Sequence, residues 1–212
     1  MDSKYNYIAI EGNIGSGKTS LAKMIARDFN ARLVLERFED NSFLPKFYKD
    51  PEKYAFPLEM SFLADRFQQL KEEIATHDLF KSFTIADYFI NKSLIFARKT
   101  LQKDEFTLYS RLFEIIISTL PKPDLIIFLY TTIERIKQNI LSRGREYEKN
   151  IENSYLEKIQ AGYFDYFKLN KNSTIIIVDT NDMDFVKNSD DYNKIISLIN
   201  KSYNQGIHRI TF

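Results

Sequence analysis

Cysteine is absent from the 212 residues, which excludes disulfides, thiolate metal sites and thiol nucleophiles and fits a reducing compartment. Glycine and proline are sparse, at six and five. No Gly/Ser linker, low-complexity tract or internal repeat divides the chain, and its length suits one compact domain, so residues 1–212 read as a single unit. An excess of one charge is also lacking: Lys+Arg number 30 and Asp+Glu 29, leaving a formal net charge of +1. That balance argues against binding nucleic acid or a membrane by bulk charge, so any anionic ligand has to be held locally. No apolar run approaches the ~20 residues that span a bilayer. The N-terminus "MDSKYNYIAI" has neither the basic stretch nor the cleavage pattern of a signal peptide. A soluble, cytoplasmic protein is expected.

Short apolar runs recur at 7–10, 31–36, 83–87, 124–130 and 174–179. They are continuous and rich in Ile, Val and aromatic residues, the pattern of buried strands. Helical periodicity fills the intervals: Leu21, Ile25 and Phe29 share one face, and a long stripe runs through Phe56, Met60, Leu63, Phe67, Leu70 and Ile74. Asp50 is placed to cap that long helix and Pro51 to open it, while Pro57 should kink it near residue 53. Further helices are expected at about 91–103, 105–119, 132–142, 152–168 and 190–203. The fold class is therefore α/β, a five-stranded parallel sheet flanked by helices.

Gly12-Asn13-Ile14-Gly15-Ser16-Gly17-Lys18-Thr19 matches G-x-x-x-x-G-K-[ST] between a strand and a helix, the P-loop context. Glycines let backbone N–H groups turn inward around phosphate oxygens, the helix end adds partial positive charge, and Lys18 reaches the β- and γ-phosphates. Thr19 offers its hydroxyl to Mg²⁺. The motif leaves the acceptor open. A GTPase would need an Asn-Lys-x-Asp reader, and "NKSL" at 91–94 lacks the Asp; an ATPase motor expects a carboxylate after the strand that ends at residue 130. "SRGREYE" at 142–148 follows a helix bearing Arg135 and Lys137 and sets Arg143 and Arg145 around Gly144. Two guanidinium groups on a hinge suit an arginine-bearing lid, about 142–152, closing on a transferring phosphoryl group.

With these motifs in hand, the chain resembles the deoxynucleoside kinases, P-loop enzymes that phosphorylate the 5′-hydroxyl of deoxynucleosides. The likeness extends from "IAIEGNIGSGKT" to "VDTNDMDFV", and "EDNSFLPKFY", "FPLEMSFLADRF", "ADYFINKSLIFARKTL", "LPKPDLIIFL" and "RGREYEKNI" are most similar to the bacterial deoxyguanosine kinase type. The resemblance implies an ATP- and Mg²⁺-dependent enzyme of nucleotide salvage, commonly a homodimer. It implies Glu36 as the general base, with Glu39 and Asp40 as neighbours that could be mistaken for it. Tyr48 and Glu148 would grip the sugar 3′-hydroxyl, Arg143 and Arg145 would be lid arginines, Asp87 would act on Mg²⁺ through water, and Phe96 would stack on the base. Two positions depart from the family pattern. Tyr88 replaces the arginine that follows the acidic residue, making Lys92 the candidate for its charge, and Asn139 stands where relatives can carry another lid arginine. Without the resemblance, Asp87 can also be read as a helix cap and Lys92 as a solvated side chain.

Glu59 and Arg66 are seven residues apart and project from one side of the long helix. Guanine presents two adjacent donors, N1–H and the 2-amino group, which a carboxylate accepts; an arginine fork suits O6 and N7. Deoxyguanosine is thus favoured over deoxyadenosine as substrate. Two other readings stay open: a nucleoside-monophosphate kinase, which needs a cationic site for the acceptor's phosphate, and a non-catalytic nucleotide-binding regulator. His77 and His208 fall in surface segments without metal-ligand spacing.

Overall fold

The computed structural model describes residues 4–38, 41–74 and 80–212. Six strands, Tyr7–Gly12 (β1), Arg32–Val34 (β2), Thr84–Ala86 (β3), Leu125–Tyr130 (β4), Thr174–Asp179 (β5) and Gly206–Ile210 (β6), form one sheet in the order β2-β3-β1-β4-β5-β6. Every neighbouring pair is parallel. The expected sheet of five strands therefore gains a sixth. β6 lies at the edge, paired only with β5, from Gly206 opposite Thr174 to Ile210 opposite Val178. With one neighbour it needs no continuous apolar run, and its residues alternate between half-buried and exposed. His208 lies on this strand, half-buried, its ring 5.1 Å from that of Tyr203; His77 falls outside the described residues.

Helices Lys18–Asp28 (α1), Leu44–Lys49 (α2), Pro51–Glu73 (α3), Lys92–Thr100 (α4), Lys103–Ile117 (α5), Ile133–Arg143 (α6), Asn153–Leu169 (α7) and Ser189–Ile199 (α8) connect or flank the strands, with a 3₁₀ turn at Glu146–Glu148. α2 has no counterpart among the expected helices, because six residues are too few to display a period. Asp50 does cap α3, its carboxylate accepting from the Lys53 N–H at 3.4 Å, and Pro51 opens it. The helix then runs through Pro57 without interruption.

Side chains along each strand alternate between two faces. Leu125, Ile127 and Leu129 of β4 join Ile8 and Ile10 of β1 against α1 and α8. Ile126 and Phe128 face α7, where they meet Ile159, Tyr163 and Phe167. A third cluster packs Met60, Leu63, Phe67 and Leu70 of α3 against Tyr109 and Phe113 of α5. These layers fix the C-terminal ends of β1 to β5 side by side, where an open α/β sheet places its ligands.

Phe128 is fully buried, with its ring 5.0 Å from that of Tyr163 and 5.2 Å from that of Phe167. Phe128→Ala should destabilise the fold by roughly 3–5 kcal/mol, measured as a lower urea midpoint. A loss below about 1 kcal/mol would contradict this packing.

Candidate active site

The phosphate loop leaves β1 at Gly12 and enters α1 at Lys18. Gly15 and Gly17 adopt φ of 80° and 91°, a left-handed backbone that glycine takes without strain. A side chain at Gly17 would also come within 2.7 Å of the Phe185 ring. Lys18 donates to the carbonyls of Gly12 and Asn13 at 3.0 and 2.7 Å. Burial first, and then the neighbouring Lys92 charge, bring its pKa down to about 8. The expected site residues Gly15 to Thr19 line a cavity of about 430 Å³ together with Arg135, Arg143, Arg145, Thr180 and Phe185. Asn139 closes the loop from the lid side, its amide donating to the Gly15 carbonyl at 2.9 Å.

A second cavity opens on the other side of the loop, lined by Glu36, Tyr48, Glu59, Arg66, Asp87, Lys92, Phe96 and Glu148. Both cavities share Gly15, Lys18, Thr19, Arg143 and Arg145. They meet where a phosphoryl donor and its acceptor would have to meet.

Glu36 lies just beyond the end of β2 and carries two cations. Lys92 Nζ reaches its Oε2 at 2.5 Å, while Arg66 donates to its Oε1 from Nε at 2.8 Å and from Nη2 at 2.5 Å. Burial pushes this carboxyl upward, but Lys92 and Arg66 outweigh it and hold the pKa at about 2. Lys92 is buried, not solvated. Asp87 does not cap α4, whose N-cap is Asn91; it accepts from the Glu36 N–H at 2.8 Å and from the Thr19 hydroxyl at 2.5 Å. That hydroxyl and carboxylate, converging beside the phosphate loop, are the hard oxygen donors that Mg²⁺ takes in part alongside water.

Arg66 departs from expectation. Its Nε and Nη2 are turned to Glu36 and its Nη1 donates to the Ser93 hydroxyl at 2.7 Å, so the fork envisaged for a guanine edge is engaged with protein. Glu59 stands separately. Its Oε1 accepts from the Thr100 hydroxyl at 2.9 Å, and its Oε2 is buried without a partner among the described residues. Burial raises its pKa to about 7 against the opposing pull of Arg66.

Phe96 lines the same cavity, its ring perpendicular to that of Tyr163 at 6.3 Å. Tyr48 stacks on Tyr147 at 6.2 Å, and burial raises its phenol pKa. On the lid, α6 ends at Gly144 with φ 75°. Arg143 donates to Glu148 Oε2, Arg145 to Oε1 at 3.4 Å, and the Arg145 guanidinium lies 4.3 Å above the Phe38 ring. Glu39 and Asp40 lie outside the described residues.

Three residues escaped the sequence reading. Glu11, fully buried in β1, accepts from Phe89 N at 2.9 Å, Tyr163 Oη at 2.7 Å and Gly12 N at 3.3 Å, and so ties the phosphate loop to the β3–α4 connection and to α7. A charge inside an apolar strand was its signal. Ser93 and Thr100 gave none, because only the packing of α3 on α4 brings them to Arg66 and Glu59.

The sequence model for "Deoxynucleoside kinase" matches residues 8–204. The chain belongs to the deoxynucleoside kinase family. It is 39% identical over 194 residues to the deoxyguanosine kinase of Bacillus subtilis, covering 89% of this chain and 93% of that one. It is 33% identical over 167 residues to the deoxyadenosine/deoxycytidine kinase of the same organism, at 76% of each. The fold resembles that of deoxyadenosine kinase from M. mycoides, solved with dCMP and dCDP, with a TM-score of 0.80, 24% identity, and coverage of 92% of this chain and 98% of that one. The protein is thus an enzyme, a deoxynucleoside kinase. Among the described residues, no helix is long and apolar enough to cross a membrane.

In this kinase Tyr88 is fully buried, donating to Gln69 Oε1 at 3.0 Å, whereas Lys92 touches Glu36. Lys92→Ala should lower kcat by roughly a hundredfold, the scale of one lost electrostatic group at a reacting centre. Tyr88→Phe should change kcat less than about threefold while lowering stability by roughly 1–3 kcal/mol. Steady-state kinetics and thermal melts of both variants check this, and a larger kinetic loss in Tyr88→Phe would reverse the assignment.

Proposed function

We propose that this kinase transfers the γ-phosphoryl group of ATP to the 5′-hydroxyl of a purine deoxynucleoside, with deoxyguanosine preferred to deoxyadenosine. The observation that carries the base preference is Glu59, which lines the acceptor cavity and whose Oε2 is buried without a partner among the described residues. An ionised carboxyl there accepts from guanine N1–H and the 2-amino group, whereas adenine N1, an acceptor, would repel it. The 39% identity to a deoxyguanosine kinase supports the same choice. Arg66 serves Glu36, not the base.

In this reading Lys18, the loop N–H groups and the lid arginines hold the donor phosphates in the larger cavity, and Arg143 and Arg145 complete the site over the transferring group. Thr19 and Asp87 would hold Mg²⁺, which supplies charge neutralisation at the phosphates. Glu36 accepts the hydrogen bond of the 5′-hydroxyl and orients it. A carboxyl held at about 2 is a weak proton acceptor, and incoming phosphate charge that draws Lys92 away restores its basicity for the proton transfer. Tyr48 and Glu148 bind the 3′-hydroxyl, which requires Glu148 to be shared between the sugar and the lid arginines. Phe96 packs on the base. The chain acts as one domain, and a homodimer fits the outward face of α5, where Leu108 and Ile115 are 51% and 72% exposed. A nucleoside-monophosphate kinase is disfavoured, because Arg66 and Lys92, the cations that line the acceptor cavity but not the donor cavity, are bound to Glu36.

Initial rates on the four deoxynucleosides with ATP and Mg²⁺ test the function, with the highest kcat/KM expected for deoxyguanosine; a pyrimidine preference would overturn the base assignment. Glu36→Gln should lower kcat by roughly a hundredfold or more while deoxynucleoside binding, measured calorimetrically, persists. Glu59→Gln should move the preference toward deoxyadenosine, since an amide donates to adenine N1 and accepts from its 6-amino group.

A further inference from the structure

The last residue of α4, Thr100, is bonded to Glu59 of α3, which lines the acceptor cavity. Its hydroxyl has one proton and two acceptors within reach, Glu59 Oε1 at 2.9 Å and the Phe96 carbonyl at 3.0 Å. A hydroxyl donating to Oε1 leaves that oxygen an acceptor and directs any proton that Glu59 takes up to Oε2, the buried oxygen without a partner among the described residues. We propose that Thr100 is a specificity-determining residue: by fixing Oε1 as an acceptor, it lets the single carboxyl of Glu59 read guanine when ionised and adenine when protonated.

The two readings follow from hydrogen-bonding chemistry. Ionised, Oε2 accepts from guanine N1–H and the second lone pair of Oε1 accepts from the 2-amino group. Protonated, the Oε2 hydroxyl donates to adenine N1 while Oε1 accepts from the 6-amino group. A glutamine would be fixed in the second pattern and an unassisted carboxylate in the first. The inference rests on the assignment of Glu59 to the base.

The groups around Glu59 place its titration in an accessible range. Arg66 of α3 and Lys92 of α4 favour the anion, as does the Thr100 hydroxyl; burial and Glu36 oppose it. Tyr109 of α5, whose hydroxyl lies 3.5 Å from the Glu59 backbone carbonyl, and Tyr155 of α7 are the remaining titratable groups affected by its charge; burial keeps both phenols neutral. Arg66 is committed to Glu36, so among the described residues no cation is bonded to Glu59. The outcome is a carboxyl that changes state at about pH 7.

The experiment measures kcat/KM for deoxyguanosine and deoxyadenosine at saturating ATP and Mg²⁺, from about pH 6 to about pH 8, where both bases are neutral. Ionisations common to both substrates cancel in the ratio. The deoxyguanosine-to-deoxyadenosine ratio should rise with pH, approaching about tenfold per unit because one proton separates the two readers. In Thr100→Val, which removes the hydroxyl and keeps the shape, the ratio at a given pH should fall by about tenfold or more through loss on deoxyguanosine; Thr100→Ser should restore it. A ratio independent of pH in the parent enzyme overturns the proposal, and so does a Thr100→Val variant that slows both substrates equally. The parent's pH series stands even if Thr100→Val fails to fold. Glu59→Gln separates the two levels: a changed and pH-independent ratio supports the switch, whereas an unchanged ratio removes Glu59 from base reading altogether. If the parent's ratio is flat but Glu59→Gln changes it, Glu59 reads the base without the proton switch.

Discussion

The carboxylate of Glu36 and its two cations hold together the end of the sheet where the chemistry belongs. Lys92 comes from α4, Arg66 from α3 and Glu36 from the chain just past β2, so three segments converge on one charge. Asp87 extends the network by accepting the Glu36 backbone N–H and the Thr19 hydroxyl, which joins it to the phosphate loop. A buried carboxylate with one cation removed is expensive, whereas the whole cluster gains little over apolar packing of the same volume. Its presence is therefore better explained by what it positions than by what it stabilises. The sign of its pH dependence follows: Glu36 contributes stability above the ordinary carboxylate range, and that contribution is lost as pH falls toward 2.

Glu59 lies in the same cavity and titrates oppositely. Glu59 is buried and Glu36 half-buried, and both feel Arg66 and Lys92, but only Glu36 is bonded to them. One is held at about 2 and the other raised to about 7. Two contacts decide this: Lys92 bonds Glu36, and Arg66 turns its Nε edge to Glu36 and its remaining nitrogen to Ser93. Burial of Glu59 thus opposes the anion, so its contribution to folding weakens as pH rises from the usual carboxylate range through 7. In the proposed function, two carboxyls pushed apart in this way do different work on one substrate, one at the sugar hydroxyl and one at the base.

The sheet interior was legible because its strands are short apolar runs buried on both faces; β5 matches the expected 174–179 at both ends. The phosphate loop was legible because its glycines are needed for a backbone shape that few sequences provide. Less visible was whatever depends on a single neighbour or a long-range contact. β6 has one strand partner, so half its residues face outward and the apolar signal disappears. The direction of Arg66 could not be read from its seven-residue spacing to Glu59: helical spacing says which side a guanidinium leaves from, not which of two carboxylates it meets. Thr100 belongs to the site only because α4 packs on α3.

In the proposed function, the cation at Glu36 has moved along the sequence without leaving the site. The family likeness places an arginine immediately after Asp87, where this chain has Tyr88. That phenol is drawn into the core between α3 and α5 and satisfied by Gln69, an environment that would leave a guanidinium buried among apolar side chains. Lys92, four residues further on, opens α4 and brings its ammonium to Glu36 from the helix N-terminus. A lysine there is a compact point charge on a flexible stem, able to transfer its contact from carboxylate to an arriving phosphate without breaking a bidentate fork. On that proposal the position of the required charge is set by the carboxylate it must neutralise, and the residue that supplies it need only reach that point.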